Sequence, residues 1–436
     1  MWGKIMLLQL IRVTVGVALL SAAATADVLV VHSDGSGDFT GLQAAVNAAA
    51  SGDILLVQSD FTGEFVEVVG KGLTISGEVN QRPKQGGMQV SSVPAGEQII
   101  LRGLEFGPFP VANKQSLIVG GCKGVVLVED CTATGNDGEP SFSGPFVNSC
   151  NVGESAVLTG ANTYMIVTRC TFLGGTGHDR LASGPFVPSG PGGHGLFDKG
   201  GSTLAIYASS LMGGPGGSDP LAIGFGETGG SGLLSLGSFV WLEGGTAIGG
   251  PSGDGCFSGN ILCNGGDAVV VSFGGSLQIR DAFTQGGLGG LYAIPDISGA
   301  THAPDGDDVY TDVGNLVAHP GAASHAIDLS PVYEGEPGTT SIVGPPAAFA
   351  GYVLSVELGH LQLGGSKGIL AAGLPLFGPF LLGPIPANGV LEFSYTTPAL
   401  GPLFEGFAFV KQALVTDTDG LRVTAPTAYV HLGAGP

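Results

Sequence analysis

Thr163–Gly175 reads TYMIVTRCTFLGG, one of five segments built to the same plan. The others are Val125–Gly135, Thr203–Gly214, Phe239–Gly250 and Ser276–Gly287, each closing on Gly or Gly-Gly. The first closing glycine falls at 135, 174, 213, 249 and 286, in steps of 39, 39, 36 and 37. Nine positions before it stand Val126, Met165, Leu204, Val240 and Leu277. Seven positions before it stand Val128, Val167, Ile206, Leu242 and Ile279. Apolar residues two apart mark a strand with one buried face, and the same phase in five copies means that the strands stack coil on coil. The position between the two ladders is mixed: Leu127, Ile166, Ala205, Trp241 and Gln278. Four positions before the glycine the residues are all small, Cys131, Cys170, Ser209, Gly245 and Ala282, as a tight corner requires.

A second short run precedes each strand, at Leu117–Val119, Ala156–Leu158, Gly195–Phe197, Gly232–Leu234 and Ala268–Val271. Each repeat therefore has two strands, a short turn and a long glycine-rich loop, a unit too small to bury a face except by stacking. Upstream, Phe39–Gly52 has apolar residues Leu42, Val46 and Ala49 on one helical face, and strands Ile54–Val57 and Leu73–Ser76 follow. A helix there would cover the first coil and hide its edge.

His32–Val57, HSDGSGDFTGLQAAVNAAASGDILLV, resembles the N-terminal capping segment of pectin-lyase-like β-helix proteins, above all pectin methylesterases, and Gly63-Glu64-Phe65-Val66-Glu67 is similar to their G-x-Y-x-E strand. The resemblance implies a right-handed parallel β-helix with a capping helix; it is specific for fold and weak for activity. The D-F-x-F-G-type motif of the esterases is missing. Gly193-His194-Gly195 matches the G-H-G of polygalacturonases without their paired aspartates or R-I-K, and reads as a loop glycine pair. Pectate lyases use Ca2+, acids and an arginine; Arg169 and Arg280 lie on second strands, but Asp130 stacks before Arg169, which reads as a structural ion pair. Gly364-Gly365-Ser366-Lys367-Gly368 fits G-x-S-x-G but sits in a proline-rich β region instead of a strand-to-helix turn.

The termini complete the plan. Residues 1–26 have a charged start, the apolar run Val13–Leu20 and an A-x-A exit at Ala24-Thr25-Ala26, the parts of a secretory signal peptide. No later stretch is long and apolar enough for a membrane span. The β-helix is expected over 27–300, an acidic linker or crossover over 301–326 with Asp305, Asp307, Asp308 and Asp312, and a β-sandwich-like domain over 327–436. Short strand-like runs there include Tyr352–Leu358, Val390–Tyr395, Gly406–Leu414 and Leu421–Leu432, while prolines at 375, 379, 384 and 386 exclude long helices.

The chain carries 79 glycines, 12% charged residues and a net charge of −21. Such acidity excludes a phosphate-binding nucleic-acid surface. Export permits disulfides: Cys256 and Cys263 close a short loop, and Cys131 and Cys170 stack as neighbours. Gly174–Ala182 fits the nonapeptide G-G-x-G-x-D-x-U-x, and Asp137, Asp179, Asp219 and Asp254 recur at steps of 42, 40 and 35. Stacked carboxylates make Ca2+ the expected ligand, with no other cofactor. The sequence reading is a secreted, non-catalytic surface or matrix protein that binds polysaccharide, a cell-surface component or Ca2+. The alternative is a lyase or hydrolase of a pectin-like acidic polysaccharide.

Overall fold

The computed structural model describes residues 26–433 except 79–80, 108–114, 139–151, 180–188, 220–225, 256–262, 292–302, 313–314, 329–330, 364–366, 401–403 and 419. The expected signal peptide, as far as Thr25, lies outside the described residues. The body is a parallel β-helix of three faces, its strands joined in one 22-stranded parallel sheet.

Face 1 stacks Val28–Val31, Ile54–Val57, Leu73–Gly77, Gln98–Arg102, Val125–Glu129 and Tyr164–Thr168, then the first halves of Thr203–Met212 and Phe239–Ile248, then Ser276–Arg280 and Leu316–His319. Face 2 carries Glu105–Phe106, Thr132–Thr134, Thr171–Leu173 and Phe283–Gln285. Face 3 carries Leu117–Gly120, Val157–Thr159, Leu196–Asp198, Leu233–Leu236, Val269–Ser272 and Val309–Thr311. Val167 lies opposite Val128 and Ile206, which is the sequence repeat made into register. Strand alternation turns Val126, Val128, Met165, Val167, Leu204 and Ile206 into the solenoid core, all fully buried. At the corner between faces 1 and 2, Asp130, Arg169, Ala208 and Asp281 take φ of 52°, 53°, 44° and 46°. This left-handed residue turns the chain just before the small-residue position.

The capping helix is shorter than the sequence suggests, Leu42–Ala48, because Phe39 bridges to Val31 instead. Its ends are tied to the first coils. Glu64 accepts the amides of Leu42 and Gln43 at 3.0 and 2.8 Å, and Lys71 Nζ donates to the carbonyls of Val46 and Ala49 at 2.7 and 2.6 Å. An anion at the N-terminus and a cation at the C-terminus both suit the helix dipole.

The described arms of the glycine-rich loops form a second array. Each loop leaves face 2 as an outgoing arm and comes back to face 3 as a returning arm. Within a coil Gly193 N donates to Gly175 O, Gly230 N to Gly214 O and Gly266 N to Gly250 O, each at 2.8 Å. Between coils Gly214 N donates to Gly193 O and Gly250 N to Gly230 O, each at 2.7 Å. Outgoing arms also bond to each other at three-residue intervals, with Gly213 N on Ile248 O and Gly216 N on Pro251 O, both 2.9 Å. Three residues per turn, no bonds inside an arm, and prolines in the arms describe polyproline II backbone. A Cβ on Gly175, Gly213 or Gly230 would overlap a carbonyl of the adjacent arm, so packing of backbone on backbone sets the glycine content.

The C-terminal region departs from the expected plan in one way. Val309–Thr311 and Leu316–His319, read as linker, form the last coil, and the crossover is confined to the residues between His319 and His325. The expected β-sandwich-like domain is built on eight strands, Phe377–Pro384, Phe349–Ser355, Gly406–Asp417, Gly420–Leu432, His325–Asp328, Pro337–Val343 and Val390–Thr396 in order, with Val332–Tyr333 beside Gly420–Leu432; its two antiparallel groups are joined by the parallel pair His325–Ala425. A hairpin, Leu358–Leu363 and Gly368–Ala372, accompanies it. Prolines 379 and 384 fall on the edge strand, where a missing N–H leaves no ladder bond unmade.

This domain lies along face 1. Ala425, Ala428, Ile369 and Ala371 pack on Ile100, Leu127, Ile166, Ala205 and Trp241, and Val430 and Leu432 pack on Ile54 and Leu56. The mixed middle position of the repeat is therefore a buried outer ladder, covered as far as Trp241.

Candidate functional site

Several groups of side chains were candidates for chemistry or metal binding, and the structure places most of them. Asp137 Oδ1 accepts the Thr176 amide at 2.7 Å, Asp179 Oδ1 the Ser218 amide at 2.7 Å, and Asp254 Oδ1 the Leu291 amide at 2.9 Å. Each of these carboxylates ties its own coil to the next. Asp219 is buried, and its amide donates to Asp254 O at 2.9 Å. The four acids share the glycine array but do not converge: among the described residues no group of three or more His, Cys, Asp and Glu side chains stands together.

The arginines form structural networks. Arg169 Nε donates to Asp130 Oδ1 at 2.9 Å, and the same guanidinium pairs with fully buried Glu129, which also meets Arg102 at 3.5 Å. Burial works against the Arg169 charge, but Glu129 and Asp130 outweigh it and raise its pKa. Arg280 pairs with Glu243 at 3.3 Å and covers the Trp241 ring. All of these groups lie at the seam under the C-terminal domain.

Cys131 and Cys170, disulfide candidates that could bond or simply pack, are both buried free thiols. Cys131 Sγ donates to Glu129 O at 3.2 Å and Cys170 Sγ to Thr168 O at 3.3 Å, because side chains stacked in register on parallel strands point alongside each other. Cys263 is disulfide-bonded, and Cys256, its expected partner, lies outside the described residues. Most of the G-x-S-x-G stretch does too, between two antiparallel strands.

In the G-H-G stretch, His194 Nδ1 accepts the Ser231 amide at 2.9 Å, and burial lowers its pKa to about 4. The folded value lies below the unfolded one, about 6.5. The stability it supplies is thus complete above about pH 6.5 and lost as pH falls through about 4. The stability of the parent minus that of His194→Asn, from urea titrations at several pH values, should be largest above pH 6.5 and shrink on acidification. A pH-independent difference would mean that this ring is not held neutral.

The sequence reading missed a row of aromatic rings in the C-terminal domain. Phe380 stacks on Tyr352 at 5.0 Å, and Tyr352 on Phe393 at 5.4 Å with 10° between planes. These rings bridge the two edge strands, which have no hydrogen bonds to each other. The row runs on through Tyr395 at 6.1 Å, Tyr429 at 5.8 Å and Phe409 at 6.3 Å. All but Tyr429 are half-buried. Under the row Lys411 Nζ lies 5.0–5.7 Å from the rings of Tyr429, Tyr395, Tyr352 and Phe393, paired with Asp328 at 2.9 Å and hydrogen-bonded to Thr340 at 2.7 Å. Burial lowers the Lys411 pKa and Asp328 opposes it, while burial raises those of the Tyr395 and Tyr429 hydroxyls, which stay protonated.

No protein-family model and no curated protein sequence matches this chain. Among solved structures it is similar to the tailspike protein of Acinetobacter phage vB_ApiP_P1, at 11% identity over 85% of this chain and 82% of that one, with a TM-score of 0.23. A superposition that loose carries no argument about function, so chemistry must be read from the side chains. The signal for the row was available: Phe393/Tyr395 and Phe407/Phe409 are aromatic at alternate strand positions, which places them on one face.

Proposed function

We propose that this is a secreted, non-catalytic surface or matrix protein, whose β-helix is a rigid support and whose C-terminal domain binds polysaccharide. The aromatic row carries this reading. Half-exposed rings with polar groups beside them suit the apolar C–H faces and the hydroxyls of sugars. The non-catalytic part is supported by the commitment of Glu129, Asp130, Arg102, Arg169, Glu243 and Arg280 to ion pairs beneath the second domain. Export is supported by the leader pattern, and mass spectrometry of protein from the culture medium should find Asp27 as the first residue.

The test is a panel of soluble polysaccharides, read for retardation of the protein in affinity gels and for release of reducing ends or unsaturated uronides. Retardation without product is expected. Steady product release would replace this reading with the lyase or hydrolase alternative, and no binding across the panel would remove it.

A further inference from the structure

Resting on that polysaccharide-binding reading, we infer that the aromatic row from Phe380 to Phe409 is the binding site, and that it takes a neutral glycan chain. The geometry supplies the first half. Strand alternation sends Tyr352, Phe393, Tyr395, Phe409 and Tyr429 to one side of the sheet, and consecutive contacts make a continuous strip suited to several sugar units. The same domain has a buried apolar cluster that includes Ala326, Ile342, Ala350, Ile385 and Ala413. Beside the rings are buried polar atoms with no hydrogen-bond partner, Asp328 Oδ2 and His431 Nε2, with Asp328 and His431 only 1% and 2% exposed. Such atoms cost free energy until a partner reaches them, and the hydroxyls of a sugar, or water held by them, are partners of the right kind. His431 packs on Phe407 and Tyr429, within the row.

Charge supplies the second half. The chain has 15 Lys and Arg against 36 Asp and Glu. The cation at the strip, Lys411, is buried and neutralised by Asp328. Exposed Glu336, Glu392 and Glu405 and half-buried Glu334 lie on the same domain. A polyuronide would approach this acidic surface against its field, whereas a neutral chain needs only ring faces and hydrogen bonds.

The full-length mature protein would be titrated with a neutral β-glucan, a galactomannan and a xylan, with polygalacturonate, and with chitosan. Phe393→Leu keeps an apolar side chain and removes a ring, and Tyr395→Ala removes ring and hydroxyl. Each should weaken binding of the neutral glycan roughly tenfold or more, with thermal melts showing that the domain is intact. Should Tyr395→Ala lose its near-ultraviolet CD signal, Phe393→Leu decides the matter. If the parent binds neutral glycan and Phe393→Leu binds it equally, the site is wrong while the polysaccharide reading stands. A preference for polygalacturonate or chitosan overturns the neutral class. No binding to any of them overturns the site and the reading together.

Discussion

Replacing Glu129 with alanine is expected to cost about 3–5 kcal/mol and to loosen the C-terminal domain from the β-helix. Glu129 is fully buried and holds both parts. From the β-helix it pairs with Arg169 and, at 3.5 Å, with Arg102; from the C-terminal domain it accepts the Ala428 amide at 2.7 Å and the Thr427 hydroxyl at 2.5 Å. The arginines in turn reach across: Arg102 donates to Asp328 O at 2.6 Å and Arg169 to Ala326 O at 2.9 Å. Without Glu129, two guanidiniums remain buried with Asp130 as their shared counter-charge, and the desolvation of the second goes uncompensated. The damage comes from the charge left behind and does not measure what the intact network contributes. The triple variant Arg102→Met, Glu129→Leu, Arg169→Met should therefore regain much of the lost stability. Urea denaturation followed by CD, with limited proteolysis at the crossover after His319, reads both effects; urea is chosen because a salt denaturant would screen the pairs. A Glu129→Ala variant with the urea midpoint and proteolysis pattern of the parent would show that the network does not hold the domain.

The same seam shows what the sequence could and could not disclose. The inner ladders were legible because one strand period and one coil period suffice to place Val128, Val167 and Ile206 in register. The middle position looked mixed because its partner is remote. Leu127, Ile166, Ala205 and Trp241 are apolar for the sake of Ile369, Ala425 and Ala428, and Gln278 stands where that cover has ended. Nothing local to either segment announces the contact. The last coil was misread for a related reason: Val309–Thr311 and Leu316–His319 lack the closing Gly-Gly, so only their pairing with Val269–Ser272 and Ser276–Arg280 identifies them. The loop acids were found as a recurrent set, but the partners of Asp137, Asp179 and Asp254 are backbone amides one coil away, which no count of carboxylates can show. In the candidate binding site, alternate aromatics were visible at 393/395 and 407/409, but the approach of Tyr352 to Phe393 comes from the arrangement of the strands in space.

The glycine loops give the sharpest separation between composition and cause, and Gly213→Ala should expose it. Gly213 does not need a left-handed backbone; its φ lies outside that region. It needs the absence of a side chain. A Cβ there would overlap the carbonyl of Gly230 in the returning arm of its own coil and lie 2.8 Å from the amide nitrogen of Gly250 in the next. Both obstacles are backbone, held by the bonds from Gly230 to Gly214 and from Gly250 to Gly230. No rotamer change can relieve them, and moving one arm displaces every arm stacked beyond it. Gly213→Ala should therefore cost upward of about 4 kcal/mol, the range reached only when packed structure must shift. Gly274 is the control. It turns the chain at φ +79° with no atom within 4 Å of an added Cβ, so alanine there meets only the left-handed penalty of about 1–2 kcal/mol. Measured side by side by urea denaturation, Gly213→Ala should be far less stable than Gly274→Ala, although the latter is the glycine that a conformational argument would select. Equal costs at the two positions would mean that the arms do not pack backbone against backbone, and that the glycine content has some other origin.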